Sequence, residues 1–390
     1  MDLYILDSFH RREQIVDDFE SLVWAERFSA YGDFELRTQS TLRNRNRFTP
    51  GTKLAIPGSY RVMTVETFED TTDDEGKTVL ILKGRSLESV LENRVARGVL
   101  GDLTLTPKWI LEGLPADLAR KIFHDICVTG ILDPADIIPM VIEGTILPED
   151  TIPEPTGEVI YEIDPMTVYK AIKDICDLYD MGFRLIRNQD RSELYWDVYT
   201  GSDRTSTQSI LPAVIFSPNL DNLQNTTELT SIATYKNVAY VFSPMGYEIV
   251  YLPDVDPETT GFERRVLMVK ADDITDEDPF VASARMIQRG IEELSRNRRF
   301  SAFDGEINPA SKYQYGRDYN LGDLVEFQNT TGAINIMRVT EQIFASDQSG
   351  DRTYPTLTMN TFITPGSWAS WDDQQVWMEV DGDLHWADLS

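Results

Sequence analysis

Arg27-Phe-Ser-Ala-Tyr31 returns as Arg299-Phe-Ser-Ala-Phe303, and the residues after each copy return in the same order. An Asp/Gly pair comes next in both, then an acidic-apolar step, Glu35-Leu36 in the first and Glu306-Ile307 in the second. Further on, Pro50-Gly-Thr-Lys-Leu-Ala-Ile56 answers Leu321-Gly-Asp-Leu-Val-Glu-Phe327, the glycines lying 24 and 23 residues after their arginines. Arg61-Val62 then matches Arg338-Val339 with six more residues in the second hairpin, and acidic glycine turns come after both, Asp73-Asp-Glu-Gly76 and Asp347-Gln-Ser-Gly350. A four-letter identity arises easily by chance, and two β units of similar length can share such punctuation. Three anchors in one order are harder to produce, and self-similarity at long period is the mark of a duplicated unit. The pattern predicts two related β-barrel-like units with a helix-and-loop domain between them.

Around these anchors the first hundred residues read as strands and turns. Leu54-Ala-Ile56, Tyr60-Arg-Val-Met-Thr-Val65 and Thr78-Val-Leu-Ile-Leu-Lys83 are apolar runs parted by Pro57-Gly58 and the acidic turn. Ser86 is placed to cap a short helix with Leu87, Val90, Leu91 and Val95 on one face and Gly98 at its end. From about residue 99 the character changes. Thr106-Pro107 and Asp164-Pro165 are N-cap plus proline signals; the first opens a segment broken near Gly113 and Pro115, the second a longer helix. Val168, Ile172, Ile175 and Tyr179 form its stripe, and Gly182 stops it. Residues 131–165 carry six prolines, nine carboxylates and no Lys, Arg or His, which predicts an extended arm without regular elements. Phe183-Arg-Leu-Ile-Arg187 and Leu194-Tyr-Trp-Asp-Val-Tyr199 flank a polar turn as a hairpin. Strands return from about 230, at 237–242, 247–251 and 265–270. Asp278-Pro279 opens a helix over 279–298, with Phe280, Ala284, Ile287, Ile291 and Leu294 inward and Arg285, Arg289, Glu292 and Glu293 outward.

The fold class expected is therefore mostly β with an inserted α+β domain. Residues 1–98 form the first β-barrel-like unit, completed by about 201–232. Residues 99–200 are the inserted helix-and-loop domain with its acidic, proline-rich arm at 131–165. The second unit spans 233–365 and includes the helix 279–298. Residues 366–390 are an acidic C-terminal hairpin rich in tryptophan.

Charge narrows the function. The 390 residues hold 36 Lys plus Arg against 65 Asp plus Glu, a net of −29, and phosphate binding needs clustered cations. Specific nucleic-acid binding is not expected, although an acidic wall would keep passing DNA from sticking. No apolar run reaches membrane-spanning length, and no basic stretch precedes the short apolar segment after Met1, so neither membrane insertion nor a secretory signal is expected. Two cysteines are too few to staple such a chain, which points to synthesis in a reducing compartment.

Catalytic patterns find little support. His10, His124 and His385 stand far apart, and none joins a metal-ligand spacing. Cys127 or Cys176 with His124 is a conceivable nucleophile pair, but both cysteines sit in apolar surroundings that favour core packing. Gly76-Lys-Thr78 lacks the first glycine of a phosphate loop and comes after three carboxylates, the wrong sign for phosphate. Asp272-Asp273 and Asp372-Asp373 read as solvated or helix-end charges rather than a glycosidase pair, and the acids of 272–278 lack the glycine turn and terminal Glu of an EF-hand. No catalytic residue, cofactor site or metal site is assigned, and the chain is not expected to be an enzyme.

Several stretches together resemble a known family. Trp24-Ala-Glu-Arg-Phe-Ser-Ala-Tyr-Gly-Asp-Phe-Glu-Leu36, Phe183-Arg-Leu-Ile186, Gly201-Ser-Asp-Arg-Thr205, Val214-Ile-Phe-Ser217, Lys236-Asn-Val-Ala-Tyr-Val241 and Asp318-Tyr-Asn-Leu-Gly-Asp-Leu-Val325 are similar to segments of siphophage tail-tip hub proteins. These minor tail proteins of long, non-contractile-tailed bacteriophages are related to the trimeric baseplate hub of contractile-tailed phages. The resemblance runs over about residues 1–365. It implies a homotrimeric ring in the virion tail tip, made in the host bacterial cytoplasm, in which three subunits present six similar barrels to a hexameric tube. The partners it implies are the distal tail ring protein, the tape-measure protein and further tail-tip proteins, and the ring would open for genome ejection after host attachment. A carbohydrate-binding or cell-wall-degrading tail protein is the rival expectation, although the chain ends near 390 with no room for an added enzyme domain. Trp368, Trp371, Trp377 and Trp386 are four of the seven tryptophans, and Asp381-Gly382 predicts a hairpin among them. Exposed tryptophans favour binding, so these four are candidate partner-binding residues; a hairpin folded onto its own barrel, or a sugar-stacking surface, would use the same residues.

Overall fold

The computed structural model describes residues 1–72, 76, 78–98, 108–188, 193–252, 255–275, 278–307, 313–332 and 334–359. The first unit holds strands β1 (Leu3–Leu6), β2 (Arg12–Val16), β3 (Phe19–Arg27) and β4 (Asp33–Gln39), then helix α1 (Leu42–Arg47), then β5 (Lys53–Ala55), β6 (Met63–Thr72) and β7 (Thr78–Ser86). They lie in the order β3-β4-β7-β6-β5-β1-β2, every neighbour antiparallel. β4 shows why: Phe34, Leu36 and Thr38 turn inward while Asp33, Arg37 and Gln39 face water, the period of a half-buried strand. Trp24, Phe34, Leu36, Phe48, Leu54 and Leu82 share its core. The helix expected after Ser86 is a 3₁₀ segment, Leu87–Asn93, and the Ser86 hydroxyl accepts the Gly32 N–H at 2.8 Å instead of capping it.

The inserted part comprises β8 (Val95–Ala96), β9 (Trp109–Gly113), α2 (Pro115–Phe123), β10 (Val141–Glu143), β11 (Val159–Ile163), β12 (Met166–Thr167), α3 (Val168–Leu178), β13 (Gly182–Arg187) and β14 (Leu194–Tyr199). Pro115 opens α2 rather than breaking a helix, as a first-turn proline can, and Thr106-Pro107 lies outside the described residues. Thr167, not Asp164, caps α3; its hydroxyl accepts the Lys170 N–H at 3.2 Å. The stripe Val168, Ile172, Ile175 and Tyr179 is buried as expected, in one core with Phe123 and Trp196, whose rings stack at 4.2 Å. The arm 131–165 is not free of regular structure: β10 adds to β14, β11 to β9, and Asp133 caps a 3₁₀ turn at Pro134–Asp136. Among the described residues both strands pair on one side only, where flanking prolines cost no hydrogen bond.

The chain then returns through β15 (Ile215–Phe216) and β16 (Leu223–Ser231), leaves again through β17 (Val238–Ser243), β18 (Gly246–Tyr251), β19 (Val266–Lys270) and α4 (Pro279–Arg296), and finishes with β20 (Phe300–Ile307), β21 (Leu324–Gln328), β22 (Ile334–Asp347) and β23 (Gly350–Met359). Two boundaries differ from expectation. Residues 201–232 do not complete the first unit: β15 pairs with β21, β16 with β20, and Val214, Phe216 and Leu223 share a core with Val325, Phe327 and Leu357. Nor does helix 279–298 belong to the second unit, because Val241, Val250, Met286, Ile291 and Leu294 join the core of the inserted domain. The buried face of α4 is rotated from the expected one, running through Ala282, Met286, Gly290 and Leu294 while Phe280 is 64% exposed. Gly290 explains it: a Cβ there would lie 2.6 Å from Val250, so the helix backbone sits directly on the sheet.

The duplication is visible in topology. β16-β20-β23-β22-β21, all antiparallel, repeats β3-β4-β7-β6-β5. Even the irregularities recur, since β6 shifts register between Val65 and Thr67 and β22 between Val339 and Glu341. The glycine anchors coincide: Gly51 and Gly322 stand at φ 92° and 90°, and each donates its N–H at 2.8 Å to the carbonyl of Val65 or Val339. The other two anchors shift. Superposing the registers sets Phe34 on Phe303, so the Arg-Phe-Ser-Ala letters do not coincide; 28–31 form a turn, and 300–303 start a strand. Arg338 falls on Thr64 rather than Arg61, because Thr64 faces Lys53 where Arg338 faces Leu324. Beyond the common five strands the units diverge: β1 joins β5 antiparallel, whereas β15 joins β21 in parallel. Finally β22 runs past β21 and pairs with β3, uniting both units in one open 13-stranded sheet; no barrel closes among the described residues.

Candidate assembly interface

Phe28 is where the two units and the inserted domain meet. It comes directly after β3, is 3% exposed, donates its N–H to Thr340 at the β22 bulge (2.9 Å) and accepts the Phe183 N–H on its carbonyl (3.2 Å). Its ring stands edge-on to Tyr199 at 5.1 Å and under the Arg338 guanidinium at 5.0 Å. A Cβ on Gly182 or Gly322 would fall 2.4 or 2.6 Å from that ring, so both glycines are needed for the approach.

Two buried arginines fasten the inserted hairpin to the sheet. Arg338 donates to the Thr200 carbonyl at 2.6 Å, to the Gly322 carbonyl, and to Asp180. Arg61 pairs with Glu88 and reaches the carbonyls of Arg27 (3.1 Å) and Phe183 (3.4 Å), while Glu88 accepts the Leu185 N–H at 2.7 Å. Beside them the buried Glu26 accepts from Trp24 Nε1 and the Tyr315 hydroxyl, both at 3.1 Å, and from Ser59. Burial pushes the Glu26 carboxyl and the Tyr315 hydroxyl above their ordinary values. Removing one partner from a buried pair of this type costs about 3–5 kcal/mol.

The same sheet leaves two long edges uncovered among the described residues. β6 is ladder-bonded to β7 throughout but to β5 only at Met63 and Thr64, so its other side is open from Thr67 to Thr72. β16 terminates the sheet with β20 alone beside it, and Thr226, Thr227, Leu229 and Thr230 are exposed. Such edges are templates for pairing with another chain.

The sequence candidates for chemistry fall elsewhere. His10 is buried against Lys53, with its Nε2 2.7 Å from the ammonium, and His124 meets Glu143 at 2.9 Å. Burial pushes the Cys127 thiol up to about 12 and that of Cys176 higher still, which keeps both as thiols. Asp273 is held well below the usual carboxylate range: burial would raise it, but Lys108 at 2.8 Å and Arg289 at 3.1 Å outweigh that. No group of His, Cys, Asp and Glu among the described residues could hold a metal. His385, Asp372-Asp373, Lys77 and the four candidates Trp368, Trp371, Trp377 and Trp386 lie outside the described residues. Sequence alone does not single out Phe28, Glu26, Glu88 or Asp180 as site residues; their partners are distant in the chain, and no local pattern announces them.

Comparison with known proteins agrees with this architecture. No curated protein matches the chain. Among solved structures, the tail protein from Neisseria meningitidis MC58 superposes with a TM-score of 0.57 at 13% identity, covering 93% of this chain and 98% of that one. The 43 kDa tail protein of prophage MuSo2 from Shewanella oneidensis gives 0.55 at 12% identity, covering 94% and 98%. These likenesses concern the fold. The family model described as Siphovirus ReqiPepy6 Gp37-like protein matches residues 2–357, and the chain belongs to that family.

Proposed function

We propose that this protein is the hub subunit of a siphophage tail tip, acting as a homotrimeric ring that closes the tail tube and opens for genome ejection. The observation that carries this reading is the five-strand order made twice in one chain. Three copies then supply six like units, which lets a threefold object mate with a sixfold tube. Its partners are the distal tail ring above, the tape-measure protein within, and further tail-tip proteins below. Trp368, Trp371, Trp377 and Trp386 are assigned to docking one of the latter. The acidic balance, −29 per chain, suits a wall past which DNA moves without adhering. The buried arginine clamps favour opening by movement of whole subunits rather than by bending within one. Images of virions labelled at the C-terminus test this: three labels at the tail tip are expected, and a position along the tail shaft or another copy number overturns it.

A further inference from the structure

Among the described residues the sheet leaves one junction unmade, and the chain itself shows how that junction is built. On the side away from β23, β22 has two partners in succession, β21 along Ile334–Arg338 and β3 along Glu341–Ser346. β6 has the first of these, β5, and lacks a described second. The strand equivalent to β3 is β16, whose side away from β20 lacks a β22-like strand among the described residues. One copy therefore presents two halves of a contact it already makes once internally.

We propose that β6 of one copy pairs antiparallel with β16 of the next, in the register that β22 and β3 use within the chain. This rests on the trimeric reading: three junctions inside chains then alternate with three between them, a head-to-tail contact that closes. The two bulges fix the register. With Thr67 set on Glu341 and Phe34 on Phe303, the internal pairs Glu341↔Arg27, Ile343↔Ala25 and Ala345↔Val23 become Thr67↔Ser231, Glu69↔Leu229 and Thr71↔Thr227. Each edge carries three threonines, and neither 66–72 nor 223–231 contains the lysine or proline that blunts an edge strand. The register sets Asp70 opposite position 228, a glutamate, and like charges there would repel. Arg45 lies 2.6 Å from Asp70 and supplies the counter-charge.

Cysteine cross-linking in virion tails tests the pairing, since Cys127 and Cys176 are buried and stay out of exchange. Phage carrying Glu69→Cys with Leu229→Cys should yield covalently closed trimers under mild oxidation, which fall to single chains on reduction. Each single variant should yield none, and Thr67→Cys with Thr227→Cys, four residues out of register, should give roughly tenfold less, its Cα atoms being beyond disulfide reach. Threefold particles without the link, or equal linking by both pairs, overturn the edge pairing and leave the hub reading standing. A link within one chain overturns it as well. So do slow-exchanging amides at successive positions throughout Thr226–Ser231 in isolated monomers, since β20 bonds only alternate ones and the rest would then be covered by the chain itself. A copy number other than three sinks the hub reading and the pairing together.

Discussion

His10 sits where the β1–β2 connection must turn sharply, with φ at 61° and its side chain buried. Asp7 shapes the turn by accepting the N–H groups of Phe9 (2.8 Å) and Arg11 (2.9 Å), and Arg187 donates to the His10 carbonyl at 3.1 Å. Burial, then the charges of Lys53 and Arg187, pushes the imidazole down to about 4 from an ordinary 6.5. The folded ring is therefore neutral at pH values where the unfolded one takes a proton. Its contribution is complete above pH 6.5 and is lost as pH falls from there towards 4, by about 2 kcal/mol. Urea midpoints measured across that window should fall with acid in the parent. In His10→Asn, which tolerates the left-handed backbone, the decline should be shallower; an unchanged slope would rule His10 out as the source. Nothing local in the sequence discloses this site, because Lys53 and Arg187 come from distant segments. Gly51 and Gly322 are legible, since a tight turn before an apolar run asks for positive φ.

At the scale of elements, amphipathic period identifies which segments are helices better than which face they bury. The α3 stripe is legible because its apolar positions are aliphatic or aromatic throughout. In α4 the expected stripe begins at Phe280, but the face that packs is the one with small residues, Ala282 and Gly290, which lets the helix approach Val241 and Val250. Close approach outweighs side-chain size there, and periodicity alone does not weigh the two. Gly290→Val should drive the helix off β17 and β18 by overpacking, at a cost of about 1–3 kcal/mol. Thermal unfolding should show the drop, whereas Ala284→Val, on the exposed side, should leave the midpoint within about a degree. Equal effects at the two positions would mean that α4 does not pack as described.

At the scale of the whole molecule, collinear anchors reveal the duplication, but which letters correspond is set by strand register, and register depends on bulges that leave no mark in composition. The displaced boundaries have a similar cause. The chain leaves the second unit after β16 and returns at β20, and the excursion packs on the inserted domain by matching apolar faces that a linear reading cannot pair. Charge, in contrast, is a property of the entire surface and needs no register. Copies carrying −29 each repel one another, while the edges proposed to join them depend on backbone hydrogen bonds, which salt hardly weakens. Added salt shortens the reach of the repulsion to about 10 Å at 0.1 M. Raising NaCl from about 20 to about 200 mM should therefore tighten trimer formation, roughly tenfold in association constant, as followed by sedimentation velocity. Proteins that grip DNA or join through complementary ion pairs behave in the opposite sense. Trimers that dissociate as salt rises would show that side-chain ion pairs, rather than paired strand edges, hold the ring.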